Sequence, residues 1–173
     1  MSKVYQKVEL TANILIIVVA LLLGAVLVQK YFLSNPATAL TKQPSRLKPE
    51  IGAKMDVPNV NWTQQAKTLV LVLQAGCRFC NESAPFYKRL IQTVQNKNVK
   101  LVAVFPTDIE KSTAYLNELG LTNMEVRQSS LDSLKVSGTP TLILTNETGE
   151  ITDYWVGRLS PEKETEVINK LNS

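Results

Sequence analysis

The stretch from Thr68 to Cys80, TLVLVLQAGCRFC, constrains the fold more than any other part of the chain. Thr68 to Leu73 run on without polar alternation, the pattern of a β-strand covered on both faces. Just beyond that run stand Cys77 and Cys80, the only two cysteines of the 173 residues. A helical pattern comes next, with Ala84, Phe86, Leu90, Ile91 and Val94 recurring at helical spacing. The rest of the chain alternates in the same way. Val99 to Phe105 predicts a second buried strand, and Ile109 to Leu119 a helix stopped by Gly120 as its C-cap. Met124 to Gln128 predicts a short strand and Ser130 to Leu134 a short helix. Thr141 to Thr145 and Ile151 to Val156 predict a hairpin across the turn Asn146-Glu147-Thr148-Gly149, and Pro161 to Leu171 a closing helix. Strands and helices in alternation, ending in a hairpin, predict an α/β sandwich with a mixed sheet.

A different element precedes this domain. Leu10 to Val28 holds 19 residues without a charge, and only Thr11 and Asn13 are polar. At about 1.5 Å per residue the run reaches about 28 Å, one bilayer core. A buried core helix would show a polar face, and a signal peptide would carry a shorter apolar run with a cleavage site close behind it. Ala37-Thr38-Ala39 has the composition of such a site but lies too far from the run. The expected organisation is a short tail over 1–9, a transmembrane anchor over 10–30, a Pro-containing linker over 31–50 and a folded domain over 51–173.

Charge is distributed to match. Residues 1–50 carry six basic side chains against two acidic, and residues 51–173 carry thirteen of each. The net charge of +4 therefore flanks the apolar run, which points to lipid through residues 10–30 as a partner and away from nucleic acid. Counting positive charges on the two flanks mildly favours a cytoplasmic domain. A nine-residue tail is easily left inside, however, and a single N-terminal anchor exports the chain behind it. The expected location is a single-pass membrane protein with its domain on the extracytoplasmic, periplasmic side. Both cysteines lie in one motif, so no stray thiol can misbridge in an oxidising space.

The chain has no histidine, which removes the commonest general base and the commonest metal ligand. Zinc needs about four ligands, and Cys-x-x-Cys supplies two with no other cysteine or histidine to complete the set. A purely structural bridge over so short a loop gains little. A reversible redox pair uses the arrangement better. Cys77 falls where a helix begins, and unpaired backbone N–H groups there favour a thiolate. Cys80, one turn on, can attack a mixed disulfide on Cys77. Cys77 is the expected nucleophile and Cys80 the resolving thiol of a redox-active disulfide. Arg78 either tunes the Cys77 thiol downward, making the disulfide more oxidising, or is a solvated surface charge. Phe79 is expected to be partner-facing or half-buried. The expected partners are protein dithiols and disulfides together with a redox donor or acceptor; no cofactor and no metal is implied.

TLVLVLQAGCRFCNESAPF resembles the active-site segment of the thioredoxin superfamily, with Pro85 five residues after the second cysteine, where members kink the first helix. VSGTPTLIL, Val136 to Leu144, resembles the superfamily's second signature, a loop before the fourth strand. The resemblance implies a thioredoxin-like sandwich, a central mixed sheet flanked by helices, over residues 51–173. It implies that Pro140 is cis and that Thr139 offers backbone groups to an extended substrate. Gly157 falls where the family has a glycine after the fifth strand. The longer segment between the first helix and Pro140, and the tether ahead of the domain, resemble the TlpA-type branch of thiol-disulfide oxidoreductases. Three positions depart from the pattern. Gly76 stands where members often have tryptophan. Leu71 stands where many have a buried acid that accepts the second thiol's proton. The intervening pair is Arg-Phe. Glu82 is near in sequence, but two residues along a helix it points elsewhere than Cys80, as a solvated residue or a proton relay. Two other functions compete: a non-catalytic binding module using the same groove, and a thiol peroxidase. The second needs threonine three residues before its cysteine, where Cys77 has Gln74.

Overall fold

The structure, a computed structural model, describes residues 15–24, 47–95, 97–122 and 124–173. Of the anchor expected over 10–30, residues 15–24 are described and are helical, with Leu15, Leu21 and Leu22 exposed. The flanks of that segment, the tail over 1–9 and the linker from 31 to 46 lie outside the described residues. Among the described residues no helix is long and apolar enough to cross a membrane.

Residues 46–173 form a compact unit of their own. Its elements are β1 (Lys67–Val72), α1 (Arg78–Glu82), α2 (Ala84–Val94), β2 (Val99–Phe105), α3 (Ile109–Glu118), β3 (Glu125–Gln128), β4 (Thr141–Asn146), β5 (Ile151–Val156) and α4 (Pro161–Asn172). The five strands make one mixed sheet in the order β3-β2-β1-β4-β5. β1 is parallel to β2 and β2 to β3, while β4 runs antiparallel to both β1 and β5.

The unbroken apolar character of β1 has a direct cause. Alternate residues enter two separate cores. Leu69 and Leu71 join Ala103, Phe105, Leu142, Leu144 and Trp155 on one face, beneath Phe86, Tyr87 and Leu90 of α2, Leu116 of α3 and Val167 and Leu171 of α4. Val70 and Val72 join Val102, Val104 and Ile143 on the other, beneath Met55, Val57, Leu134 and Val136. Full burial of each such side chain contributes roughly 1.5–3 kcal/mol over leaving it in water. The long helices thus bury their apolar stripes against one face. Irregular chain from residues 55–57 and 131–136 covers the other.

The helix expected over Ser130–Leu134 is instead a single closed turn. The Ser130 hydroxyl accepts from the Ser133 N–H at 3.1 Å and starts it. Lys135, at φ +52, ends it at once, with Val136 N–H donating to Leu131 O and Lys135 N–H to Asp132 O. This is a Schellman closure with lysine in the left-handed position glycine usually takes. One turn rich in Ser and Asp cannot recover the nucleation cost of a helix. The helical stretch after the cysteines is divided into α1 and α2 at Pro85, where the resemblance puts a kink. Pro85 has no N–H for the Asn81 carbonyl four residues back, and α1 closes just before it, with both the Ser83 N–H and the Ser83 hydroxyl donating to Phe79 O, the latter at 2.8 Å.

Candidate active site

Strand register brings the two signature segments together. Val72 at the end of β1 pairs with Thr141 at the start of β4, so the chain after Val72 and the bend before Thr141 leave the sheet at the same edge. Gly76, at φ +76, turns the first of these into α1. That left-handed conformation strains a side-chain-bearing residue, which accounts for glycine where the resemblance leads one to look for tryptophan. The second carries a cis Thr139–Pro140 peptide, with Pro140 buried.

Cys77 is the N-cap of α1, and its sulfur accepts from the Cys80 N–H at 3.2 Å. The two cysteines are joined in a disulfide with their Cα atoms 5.2 Å apart. Cys77 is half-buried, whereas Cys80 is 0% exposed within the core that contains Leu71, Phe86 and Tyr87. An approaching thiolate therefore meets Cys77 first. The Thr139 carbonyl oxygen lies 3.4 Å from the Cys77 sulfur. The two contacts pull in opposite directions once the pair is reduced. The N–H favours a thiolate, and the carbonyl favours a thiol that donates to it. The break at Ser83–Pro85 limits α1 to five residues, so this single N–H, not a long helix dipole, acts on the sulfur.

Arg78 does not turn to Cys77. Its Nε donates to Glu82 Oε1 at 2.7 Å, and Arg158 Nη1 donates to Glu82 Oε2 at 2.6 Å. The Arg78 bond first, and the Arg158 bond second, hold the Glu82 carboxyl below the usual carboxylate range. A carboxylate engaged in this way is a poor proton acceptor, which favours the solvated-residue reading of Glu82 over a relay. Leu71 is fully buried under Cys80 and can only pack.

Several contacts around the site had no signal in local sequence. Arg158 reaches Glu82 across 76 positions, and the Tyr115 hydroxyl donates to Asn81 Oδ1 at 2.5 Å across 34. The Gly157 N–H donates to Pro140 O at 2.7 Å, tying the chain after β5 to the cis bend. Tyr87, buried in the same core as Cys80, has its hydroxyl pushed up by burial.

No family model matches the chain, and no curated protein does. Solved structures do match it in shape. The thioredoxin domain of a thiol-disulfide oxidoreductase from Bacteroides vulgatus superposes with a TM-score of 0.58 at 15% identity, covering 71% of this chain and 98% of that one. A thiol-disulfide isomerase from Corynebacterium glutamicum gives 0.55 at 16%, covering 76% and 98%. StoA from Bacillus subtilis gives 0.50 at 21%, covering 69% and 97%. At such identities the likeness is one of architecture, and the unit from 46 to 173 has the thioredoxin-like fold.

Proposed function

We propose that the chain is a membrane-anchored thiol-disulfide oxidoreductase of TlpA type that exchanges disulfides with protein cysteines on the extracytoplasmic side. One observation carries the chemical part: a half-exposed sulfur, Cys77, bonded to a buried one, Cys80, under a backbone N–H at 3.2 Å and beside the cis Thr139–Pro140 bend. In the oxidising direction a substrate thiolate attacks Cys77, the Cys77–Cys80 bond breaks, and Cys80 leaves as a thiolate. A second substrate thiolate then attacks the substrate sulfur of the mixed disulfide and displaces Cys77 as a thiolate. The substrate leaves as a disulfide and two electrons stay on the pair. The reducing direction is the same path reversed. Thr139 and Pro140 hold the substrate chain in extended form as it crosses Cys77. The thiol-disulfide oxidoreductase and isomerase among the structures sharing this fold support the reading, and the uncharged run Leu10–Val28 supports the anchor.

Dithiothreitol-coupled reduction of insulin by the full chain in mild detergent tests the activity. Turnover that is lost in Cys77→Ser is the expected result; equal turnover by the two would remove the reading. An alkaline phosphatase reporter fused after Ser173 tests the topology, and an active reporter is expected.

A further inference from the structure

Two guanidinium groups converge on one carboxylate beside the disulfide. Arg78 and Arg158 each bind one oxygen of Glu82, at 2.7 Å and 2.6 Å. The arginine side chains remain 84% and 58% exposed. The cluster of Arg78, Arg158 and Glu82 therefore carries one net positive charge at the surface, in a domain whose thirteen basic and thirteen acidic residues over 51–173, these three included, sum to zero. Among the described contacts Arg78 commits its Nε and Arg158 its Nη1 to Glu82, which leaves further N–H donors on both forks facing solvent. Phe79, between Arg78 and Cys80 in sequence, is 52% exposed, an uncommon place for a large aromatic ring.

These groups frame the reactive sulfur. Arg78 and Phe79 directly follow Cys77. Arg158 follows Gly157, whose N–H is bonded to Pro140 O at 2.7 Å. The Thr139 carbonyl then returns to the Cys77 sulfur at 3.4 Å. The contacts close a ring around the disulfide, and any segment whose cysteine reaches Cys77 passes within reach of an exposed ring and two arginines.

Resting on the disulfide-exchange reading, we propose that this rim selects cysteine-bearing protein segments that carry acidic side chains and an apolar residue beside the cysteine. Carboxylates of the segment take the free donors of Arg78 and Arg158, and its apolar side chain covers Phe79. Complementary charge of this kind acts mainly on the rate of encounter and is screened by salt.

The test uses the full chain, reduced, in nonionic detergent. Two peptides differ only in having aspartate or lysine around a single cysteine, activated as its 2-thiopyridyl disulfide. The Cys77 thiolate attacks the peptide sulfur, the bond to the 2-thiopyridyl group breaks, and the released thiopyridone is read by absorbance. Cys80 then displaces the peptide as a thiol and the protein is left oxidised. Free 2,2′-dithiodipyridine, small and uncharged, reports the chemistry without the docking. The acidic peptide is expected to react about 5–20-fold faster than the basic one at about 20 mM salt. The ratio is expected to approach 1 at about 0.5 M salt, and to fall to 1 or below in the Arg78→Gln/Arg158→Gln variant, which leaves the Glu82 carboxylate unpaired at the rim. Equal peptide rates at low salt, or a ratio unchanged in that variant, overturn the docking inference while fast reaction with the dipyridyl reagent leaves the exchange reading standing. A dipyridyl reagent that reacts no faster with the wild type than with Cys77→Ser overturns both.

Discussion

Replacing Gly76 isolates one backbone effect at the site. Gly76 has φ +76, and a Cβ built there meets nothing within 4 Å. Alanine therefore brings no clash, only the strain of a left-handed conformation, about 1–2 kcal/mol. Asparagine tolerates that region better than alanine because its side chain bonds locally, so Gly76→Asn is expected to lose less than half as much. For a unit of this size such a loss corresponds to roughly 3–8 °C in Tm. Guanidinium unfolding of the oxidised full chain, followed by the fluorescence of Trp62 and Trp155, measures the order. The expected ranking is glycine, then asparagine, then alanine, with unchanged slope. A silent Gly76→Ala would show that the turn into α1 does not need the left-handed state. A loss above about 3 kcal/mol would show crowding that the open space around Gly76 excludes.

Packing and charge give two further predictions. Leu90 of α2 is 0% exposed in the main core, so Leu90→Ala is expected to lose about 3 kcal/mol in the same unfolding assay; a loss under about 1 kcal/mol would place it outside the core. Glu82 is held below its unfolded value by Arg78 and Arg158, so its stabilising contribution is present above the ordinary carboxylate range and is lost as pH falls through its lowered folded value. The gap in unfolding midpoint between wild type and Glu82→Gln should therefore close between pH 7 and strongly acid solution, and a gap that widens would contradict the pairing.

Strands were legible where burial was two-sided. Val99–Phe105 agrees with its expected bounds because a continuous apolar run leaves an inner strand few other places, and the edge strand Ile151–Val156 does so because the turn at Asn146–Gly149 fixes its start. Interruptions were harder to read. The apolar stripe of Ala84, Phe86, Leu90 and Val94 is helical, and the break ahead of it was marked by Pro85 and its place in the resemblance, not by periodicity. At Ser130–Leu134 the apolar spacing suited a helix, and Lys135 in the left-handed region ended it after one turn. The site divided along the same line. The capping sulfur of Cys77 follows from local order, since a strand end and a helix start enclose it. The place of Arg78 does not, because its partner Glu82 is shared with Arg158, 76 positions away from Glu82. Local reading set Arg78 against the neighbouring thiol; the fold set it against a carboxylate. Likewise Thr139 meets Cys77 only through the pairing of Val72 with Thr141, a tertiary fact that spacing alone cannot supply.

The account stands on the unequal setting of the two sulfurs, Cys77 half-buried under the Cys80 N–H and open to attack, Cys80 sealed in the core. Iodoacetamide alkylation of the fully reduced full chain at neutral pH, with the modified residue located by mass, measures this directly. The predicted result is a single fast site at Cys77, reacting several-fold faster than in the guanidinium-unfolded chain. Alkylation of Cys80 first, or of Cys77 at the same rate folded and unfolded, would contradict it.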